Sequence, residues 1–254
     1  PEEINRLVTD RLSDLLFTPD EISSQNLLLE GVPKDRIHFV GNIMIDTLEA
    51  NVDKAKKLDV KEILDENLIS ENGQVVPPSK LSLDRVALLT LHRPSNVDEK
   101  PVLEPIVRFL TDELVEELPL FWIIHPRTEK QLKLFGLWER VMKTDNLFLL
   151  NPLGYHELLR LNMIARMMLT DSGGLQEECC VLGTPCITLR WNTERPVTLR
   201  ENGGASMLVG NDVDQLRNAF RDTLEQQRKP VKPDLWDGRT AERIVKTLVE
   251  ASSE

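Results

Sequence analysis

The chain has 254 residues, 41% of them hydrophobic and 29% charged, which suits a globular protein of one large or two modest domains. The 31 basic and 42 acidic side chains give a formal charge of −11, and no lysine- or arginine-rich run stands out, so we expect neither a nucleic acid nor an anionic membrane as partner. No apolar run approaches the length of a membrane span and no secretory signal is apparent, so we expect a cytoplasmic protein.

The early part of the chain alternates helix and strand patterns with short connectors. We predict helices over residues 1–13, 20–30 and 43–58, and strands over 14–18 and 37–40. From residue 59 to 82 the sequence turns polar and contains Pro77-Pro78-Ser79, which predicts a surface excursion. This order of elements is typical of a parallel sheet flanked by helices.

From residue 86 the alternation becomes regular. Predicted strands lie at 86–91, 120–124, 147–150, 167–169, 186–189 and 207–209. Predicted helices lie at 101–114, 128–142, 155–162, 175–182, 212–227 and 240–250. The fold class is therefore α/β, with a complete doubly wound, Rossmann-like sheet of about six strands.

The division into domains follows from the count of strands. Two strands before residue 58 are too few for a sheet of their own, so we interpret residues 1–40 as the C-terminal remnant of a first Rossmann-like domain. Residues 41–236 would form the second domain, which carries the complete sheet. Residues 237–254 would form a C-terminal helix that packs back toward the first domain.

The stretch Thr170-Asp171-Ser172-Gly173-Gly174 follows an apolar run and precedes a helical pattern, which indicates a strand, a tight turn and a helix start. Backbone amides at a helix N-terminus, next to glycines that leave room for approach, suit a phosphate group. Glu177 or Glu178, one turn later, could accept hydrogen bonds from sugar hydroxyls. Taken alone, the stretch equally fits a serine N-cap followed by ordinary helix carboxylates.

Three further predicted strands run into polar or basic segments. These segments are His92-Arg93-Pro94-Ser95-Asn96, His125-Pro126-Arg127 and the arginine-containing run from Arg190 to Pro196. Ligands of open parallel sheets bind outside the carboxyl ends of the strands, and arginine and histidine suit phosphate oxygens. Four such strand ends in one sheet predict a cleft for a diphosphate sugar.

Less specific interpretations exist for each feature. A His-Pro pair after a strand is often a simple turn, and the arginines could form surface ion pairs. A serine hydrolase is disfavoured, because Ser172 lacks the glycine two residues earlier that a nucleophile elbow requires. His92, His125 and His156 would all be candidate bases for it. Cys179, Cys180 and Cys186 lie in apolar segments without a histidine at ligand spacing, so we expect buried thiols and no metal site.

Several motifs resemble, in order and spacing, those of the non-hydrolysing UDP-N-acetylglucosamine 2-epimerases. They are PEEINR, VGNIMIDTL, HRPSNVD, HPR, TDSGGLQEE and TERP. The resemblance covers nearly the whole chain. It implies a glycosyltransferase-B-like fold and the interconversion of UDP-GlcNAc and UDP-ManNAc by elimination and re-addition of UDP. It implies no redox cofactor, a UDP-sugar as partner, and a homodimer.

The resemblance also implies roles for individual residues. Glu2 and His92 match catalytic positions, the first a carboxylate and the second a histidine near the diphosphate. The other matching positions bind substrate or UDP, with Glu178 on the ribose; they are Arg6, Arg93, His125, Ser172, Gly173, Gly174, Glu178, Glu194 and Arg195.

The sequence departs from the family pattern in three places. Ser95 stands where the family often has glutamate, and Val197 interrupts the pattern TERPE. The family also has catalytic groups before the segment that matches Pro1. We therefore expect the chain to be a C-terminal portion that binds UDP but lacks part of the active site. The competing hypotheses are a non-catalytic UDP-sugar-binding module and a glycosyltransferase on the same fold.

Overall fold

The structure is a computed structural model that describes residues 2–69 and 85–252, except for the side chain of Glu2. It divides into two compact units. Unit 1 comprises Pro1–Ala50 and Lys232–Glu254, and unit 2 comprises Asn51–Val231.

The strands are short and are numbered in chain order. They are β1 (Leu16–Thr18), β2 (Ile37–Phe39), β3 (Ala87–Thr90), β4 (Leu120–Ile123), β5 (Leu147–Leu150), β6 (Met167–Thr170), β7 (Cys186–Thr188) and β8 (Ser206–Leu208).

The helices alternate with these strands. They are α1 (Glu2–Leu12), α2 (Glu21–Leu29), α3 (Ile43–Lys56), α4 (Val60–Asn67), α5 (Pro94–Val97), α6 (Lys100–Phe109), α7 (Val115–Glu117), α8 (Pro126–Leu134), α9 (Trp138–Lys143), α10 (Tyr155–Ile164), α11 (Gly173–Leu182), α12 (Val213–Leu224) and α13 (Thr240–Ala251). A π-helical turn, Leu110–Leu114, connects α6 to α7, and 3-10 turns lie at Lys34–Arg36, Pro196–Thr198 and Arg200–Asn202.

Unit 2 contains a six-stranded sheet in which all neighbouring strands are parallel. The strand order is β5-β4-β3-β6-β7-β8. Alternate residues enter two separate cores, since Leu89 and Trp122 belong to one and Leu88 and Phe121 to the other. A sheet that is buried on both faces must be apolar at successive positions, as these strands are. The predicted α/β class and complete doubly wound sheet are confirmed.

Unit 1 contains the parallel pair β1-β2. The carboxylate of Asp46 accepts hydrogen bonds from the backbone N–H groups of Thr240, at 3.0 Å, and Ala241, at 2.8 Å, and so caps the start of α13. The buried indole of Trp236 donates to the Pro19 carbonyl at 2.9 Å. These contacts within unit 1 join residues on both sides of positions 40 and 236, where the domain divisions were predicted. The two compact units divide at residues 50 and 231.

Two predicted elements are wrong in detail. Residues 59–69 are not a surface excursion, because Val60, Ile63 and Leu64 lie at helical spacing and bury one face of α4. The remainder of the predicted excursion, 70–82, lies outside the described residues. The single helix predicted over 128–142 is two helices, since Gly136 has a left-handed φ of 73° and ends α8.

Candidate functional site

Four neighbouring strands, in the order β4-β3-β6-β7, end at one edge of the large sheet. The carboxyl ends of parallel strands lie on the same side, so the four segments predicted from the sequence meet there. All predicted site residues from Arg93 onward, together with His92, lie in unit 2. The contacts among these four segments define the candidate site.

Helix α11 begins directly after the turn that follows β6. Its N-cap is Ser172, whose side chain makes no capping hydrogen bond to the backbone of the described chain. A Cβ atom built on Gly174 would meet nothing within 4 Å, so this face of the first helical turn is open. Unpaired N–H groups and the positive end of the helix dipole therefore lie beside free space, which favours an anion.

Arg195 packs directly against this helix start. A Cβ atom on Gly173 would lie 2.3 Å from Nη1 of Arg195, so only glycine allows the guanidinium to approach this closely. Arg195 Nε lies 2.9 Å from the carboxylate of Glu177, which is buried in the first turns of α11. The predicted Gly173 and Arg195 are thus brought together, and the glycine places a positive charge at the helix N-terminus.

A second arginine supports the same loop. Both terminal nitrogens of Arg190 donate to the carboxylate of Glu194, at 2.8 and 2.7 Å, and Nη1 of Arg195 also contacts it at 3.1 Å. The Arg190 side chain is 5% exposed and Glu194 is 61% exposed. These arginines lower the pKa of Glu194 to about 2, first through the hydrogen bonds from Arg190. Glu194 is therefore ionised and pairs with both guanidinium groups.

Asp171 connects three strand ends. Its carboxylate is fully buried and accepts hydrogen bonds from the backbone N–H of His92, the backbone N–H of Arg93 and Nδ2 of Asn96, at 2.9, 2.7 and 3.1 Å. Asn96 Nδ2 also donates to the Leu189 carbonyl at 2.9 Å, at the end of β7. This network fixes the segment after β3 against those after β6 and β7.

The imidazole of His92 completes this network. Its Nδ1 lies 2.8 Å from Oδ1 of Asp171, and the hydrogen bond raises the pKa of His92 above its ordinary value, against burial and the charge of Arg93. The pKa of Asp171 is lowered, because these donors outweigh the effect of burial. His92 is thus a partly exposed imidazole, with its protonated form favoured, at the edge where the helix N-terminus opens.

His125 lies beside His92. Its Nδ1 accepts a hydrogen bond from the backbone N–H of Arg127 at 3.1 Å and so caps α8. The two imidazole rings are 5.4 Å apart between centroids. Capping leaves Nε2 of His125 as the nitrogen for any other partner, while Arg127 is engaged with Asp98.

Glu178 is buried one turn into α11 and hydrogen bonds to the hydroxyl of Tyr155, the first residue of α10. Burial raises the pKa of Glu178 to about 7; the charge of Glu177 adds to this, and the Tyr155 hydrogen bond opposes it. Burial and the charge of Glu178 raise the pKa of Tyr155 to about 12. Tyr155 was not predicted as a site residue, since only the packing of α10 on α11 places it there.

The remaining two predicted site residues lie in unit 1. Glu2 begins α1, and its side chain is outside the described part of the structure. Arg6 contacts three carboxylates, those of Glu3, Asp10 and Glu30, at 2.6, 2.7 and 2.7 Å.

The sequence placed Asp171, Asn96 and Arg190 in the four strand-end segments without assigning them individual roles, and it did not single out Tyr155. A usable signal existed for Asp171, because an aspartate directly after a fully buried strand must find donors when it is buried itself. The identity of those donors depends on strand order.

Within the described ranges 2–69 and 85–252, no group of three or more His, Cys, Asp or Glu side chains is arranged to hold a metal ion. Within the same ranges, no helix is both long enough and apolar enough to span a membrane.

The fold and the site define an α/β protein with a doubly wound sheet and an anion-binding helix start at its carboxyl edge. The profile of the family described as UDP-N-acetylglucosamine 2-epimerase matches residues 1–249. The chain belongs to this family, whose fold is of the glycosyltransferase-B type.

Individual relatives agree with this assignment. The chain is 41% identical to the UDP-N-acetylglucosamine 2-epimerase of Methanocaldococcus jannaschii over 98% of its own length and 64% of that protein. It is 32% identical to the UDP-2,3-diacetamido-2,3-dideoxy-D-glucuronate 2-epimerase of Pseudomonas aeruginosa, over 98% of this chain and 64% of the relative. The chain thus spans somewhat less than two thirds of the length of these relatives.

Solved structures are similar as well. The crystal structure of the M. jannaschii enzyme in complex with UDP-GlcNAc and UDP superposes with a TM-score of 0.82 at 40% identity, covering 98% of this chain and 65% of that one. The Neisseria meningitidis enzyme bound to UDP-GlcNAc gives a TM-score of 0.79 at 28% identity, with 98% and 65% covered.

Proposed function

We propose that this protein binds UDP at the carboxyl edge of the six-stranded sheet, with the diphosphate on the N-terminus of α11. The observation that carries the proposal is the open first turn of α11, where Gly174 faces free space and Arg195 lies on Gly173. Helix amides supply donors there, and the arginine supplies charge. The M. jannaschii relative was crystallised with UDP-GlcNAc and UDP, which supports this choice of ligand.

The other groups of the site fit the parts of UDP. Ser172 has a hydroxyl that is not used as a helix cap, and it would add a donor to the phosphates. His92, Arg93 and His125 would contribute positive charge or N–H donors from the neighbouring strand ends. Glu178 would accept hydrogen bonds from the ribose hydroxyls, for which its position one turn into α11 is suited. Glu194 would act by holding Arg190 and Arg195.

We further propose that the activity is that of a UDP-N-acetylglucosamine 2-epimerase, which converts UDP-GlcNAc to UDP-ManNAc. The reaction removes the proton from C2 and eliminates UDP from C1, which leaves a 2-acetamidoglucal. UDP then adds back at C1 and a proton is returned to C2 on the opposite face, so that C2 is inverted. Glu2 would serve in the proton transfer and His92 at the leaving diphosphate. Arg6 would contact the substrate only by releasing at least one of the carboxylates that it now binds.

The identity of the sugar has one specific alternative. The P. aeruginosa relative is named for a diacetamido glucuronate, and its similarity covers 98% of this chain. We favour N-acetylglucosamine, because the relative with 41% identity carries that name. A comparison of UDP-GlcNAc with the UDP-diacetamidoglucuronate as substrates tests this choice.

UDP binding is tested by calorimetry with the full chain, using uridine as the ligand without phosphates. We expect UDP to bind and uridine to bind at least tenfold more weakly, because uridine lacks the diphosphate and therefore its charged contacts with the protein. Arg195→Met should weaken UDP binding about tenfold or more.

The matched control for this variant is Arg217→Met. Arg217 on α12 is paired with Glu113 and Asp214 and is 29% exposed, close to the 32% of Arg195. Its loss should leave UDP binding unchanged. Equal affinity for UDP and uridine would contradict the proposal.

Activity is tested by following the acetyl NMR signals of UDP-GlcNAc and UDP-ManNAc, with His92→Asn as the variant. We expect conversion when the residues that precede the matched segment in the family are also present, and we expect no conversion in the variant. UDP binding without conversion would favour the binding module, and release of UDP that requires an acceptor would favour a glycosyltransferase.

The homodimer and the cytoplasmic location stay predictions. Light scattering of the purified chain tests whether it forms a homodimer.

A further inference from the structure

We propose that Asp171 and Asn96 are positioning residues that fix His92 with its proton on Nδ1, so that Nε2 is the nitrogen available to a bound anion. Nothing in the family comparison assigns this role to either residue. The inference rests on the proposed function only for the identity of the anion, since the state of His92 can be measured in the free protein.

The geometry of Asp171 leaves it little freedom. Oδ2 accepts from three donors, the backbone N–H groups of His92 and Arg93 and Nδ2 of Asn96. Oδ1 faces Nδ1 of His92 at 2.8 Å, and the backbone N–H of His92 lies 3.2 Å from it. The carboxylate is fully buried, so rotation would leave several of these donors unpaired.

Asn96 supplies the third donor to Oδ2 of Asp171. It is 2% exposed, and its Nδ2 is shared between Oδ2 of Asp171 and the Leu189 carbonyl. The amide therefore ties Asp171 to the end of β7. Its donation to Oδ2 keeps Oδ1 directed at the imidazole.

An ionised carboxylate only accepts hydrogen bonds, so Nδ1 of His92 must carry the proton that lies between them. The groups that face the ring are the Asp171 carboxylate, the Arg93 guanidinium and the His125 ring, 5.4 Å away. Asp171 favours a second proton on Nε2 and Arg93 disfavours it. The negative charge of a bound diphosphate would favour it further, which would give a charged N–H donor.

Asp171→Asn tests this assignment. Three donors converge on the Oδ2 position, so the amide oxygen should occupy it and the NH₂ group should face Nδ1 of His92. Nδ1 must then accept, which moves the proton of the neutral ring to Nε2. Long-range ¹H–¹⁵N NMR of histidine-labelled full-length chain distinguishes the two tautomers, and we expect Nδ1–H in the wild type and Nε2–H in the variant.

The functional readout is the pH dependence of UDP affinity. In the wild type, affinity should fall about fivefold to tenfold as pH rises through the pKa of His92, because a charged donor becomes neutral. In Asp171→Asn the pKa of His92 should be lower, and affinity should be flat over the same pH range. A purely structural role of Asp171 would change affinity without removing this slope.

Asn211→Ala is the matched control. The Asn211 amide nitrogen donates to the Ser95 carbonyl at 3.2 Å and so anchors the same segment without contact to Asp171. It should keep the wild-type tautomer and the wild-type pH dependence of UDP affinity.

Asn96→Ala should keep Nδ1–H on His92 but reduce UDP affinity more than Asn211→Ala does. Equal effects of the two variants on UDP affinity would remove Asn96 from the proposal.

The wild-type spectrum tests the proposal even if Asp171→Asn fails to fold. An Nε2–H tautomer in the wild type, or an Nδ1–H tautomer in the folded variant, would overturn it. The expected tautomers without any UDP binding would instead overturn the proposed function and leave the assignment of His92 intact.

Discussion

Asp171 and Arg6 each contact several polar or oppositely charged groups, but the two side chains lie in very different surroundings. Asp171 is fully buried in unit 2 and accepts two of its hydrogen bonds from the backbone. Arg6 in unit 1 is 38% exposed and forms ion pairs with the side chains of Glu3, Asp10 and Glu30.

The difference shows what makes a polar cluster rigid. Backbone N–H groups are held by the strands and turns that carry them, so a carboxylate that they surround has one position. Surface carboxylates on flexible side chains compete with water and salt, and such pairs contribute little. Asp171 therefore shapes the site, whereas the contacts of Arg6 can be exchanged.

The largest expected effect is that of Asp171→Ala. It leaves two backbone N–H groups without an acceptor in a buried place and removes one of the two hydrogen bonds of the Asn96 amide, which should lower the free energy of unfolding by about 3–5 kcal/mol. Urea unfolding followed by the fluorescence of the buried Trp122 and Trp138 measures this. A loss below about 1 kcal/mol would mean that the network does not hold the strand ends together.

Glu178 is a second buried carboxylate. It has fewer donors than Asp171, and its pKa is about 7, above its ordinary 4.5. Between these two pH values the unfolded chain loses a proton that the folded chain retains. The free energy of unfolding should therefore fall by on the order of 3 kcal/mol as pH rises from 4.5 to 7.

Glu178→Gln should abolish this fall, and urea unfolding at several pH values checks it. Tyr155→Phe provides the companion variant. It removes the hydrogen bond that lowers the pKa of Glu178, so the fall should extend to higher pH. A wild-type stability that rises over this range would contradict the assignment.

Replacing either of the two adjacent glycines at the start of α11 with alanine should change stability by a smaller amount, and the sign should differ between the two positions. Gly173→Ala must displace the flexible end of Arg195, which should cost about 1 kcal/mol or less and weaken UDP binding. Gly174→Ala enters open space and should raise stability by up to about 1 kcal/mol through helix propensity. Thermal unfolding and calorimetry with UDP separate the two. Identical behaviour of the two variants would show that Arg195 does not depend on the missing Cβ.

The smallest effect is expected for Arg6→Met, below about 1 kcal/mol and reduced further in 1 M NaCl. Urea unfolding at low and high salt provides the measurement. A larger, salt-independent loss would place Arg6 with Asp171 among the fixed polar groups.

Much of unit 2 could be predicted because its signals are local. Short, largely apolar strands, each followed by a glycine, proline or polar turn, mark a parallel sheet, and six of them were located to within a few residues. The helix α4 was missed because three apolar residues in a polar context give a weak pattern. The break at Gly136 was missed because a single glycine is compatible with a helix as well as with its end.

The sequence by itself determined the α/β class, the six strands and the helix start at Ser172-Gly173-Gly174, because these depend on the periodicity and conformational preferences of neighbouring residues. Only the tertiary structure decided that Asp171 holds His92, that Arg195 lies on Gly173 and that Tyr155 meets Glu178. Each of these pairs joins residues far apart in the chain, and only the order of strands in the sheet and the packing of helices beside it bring them into contact.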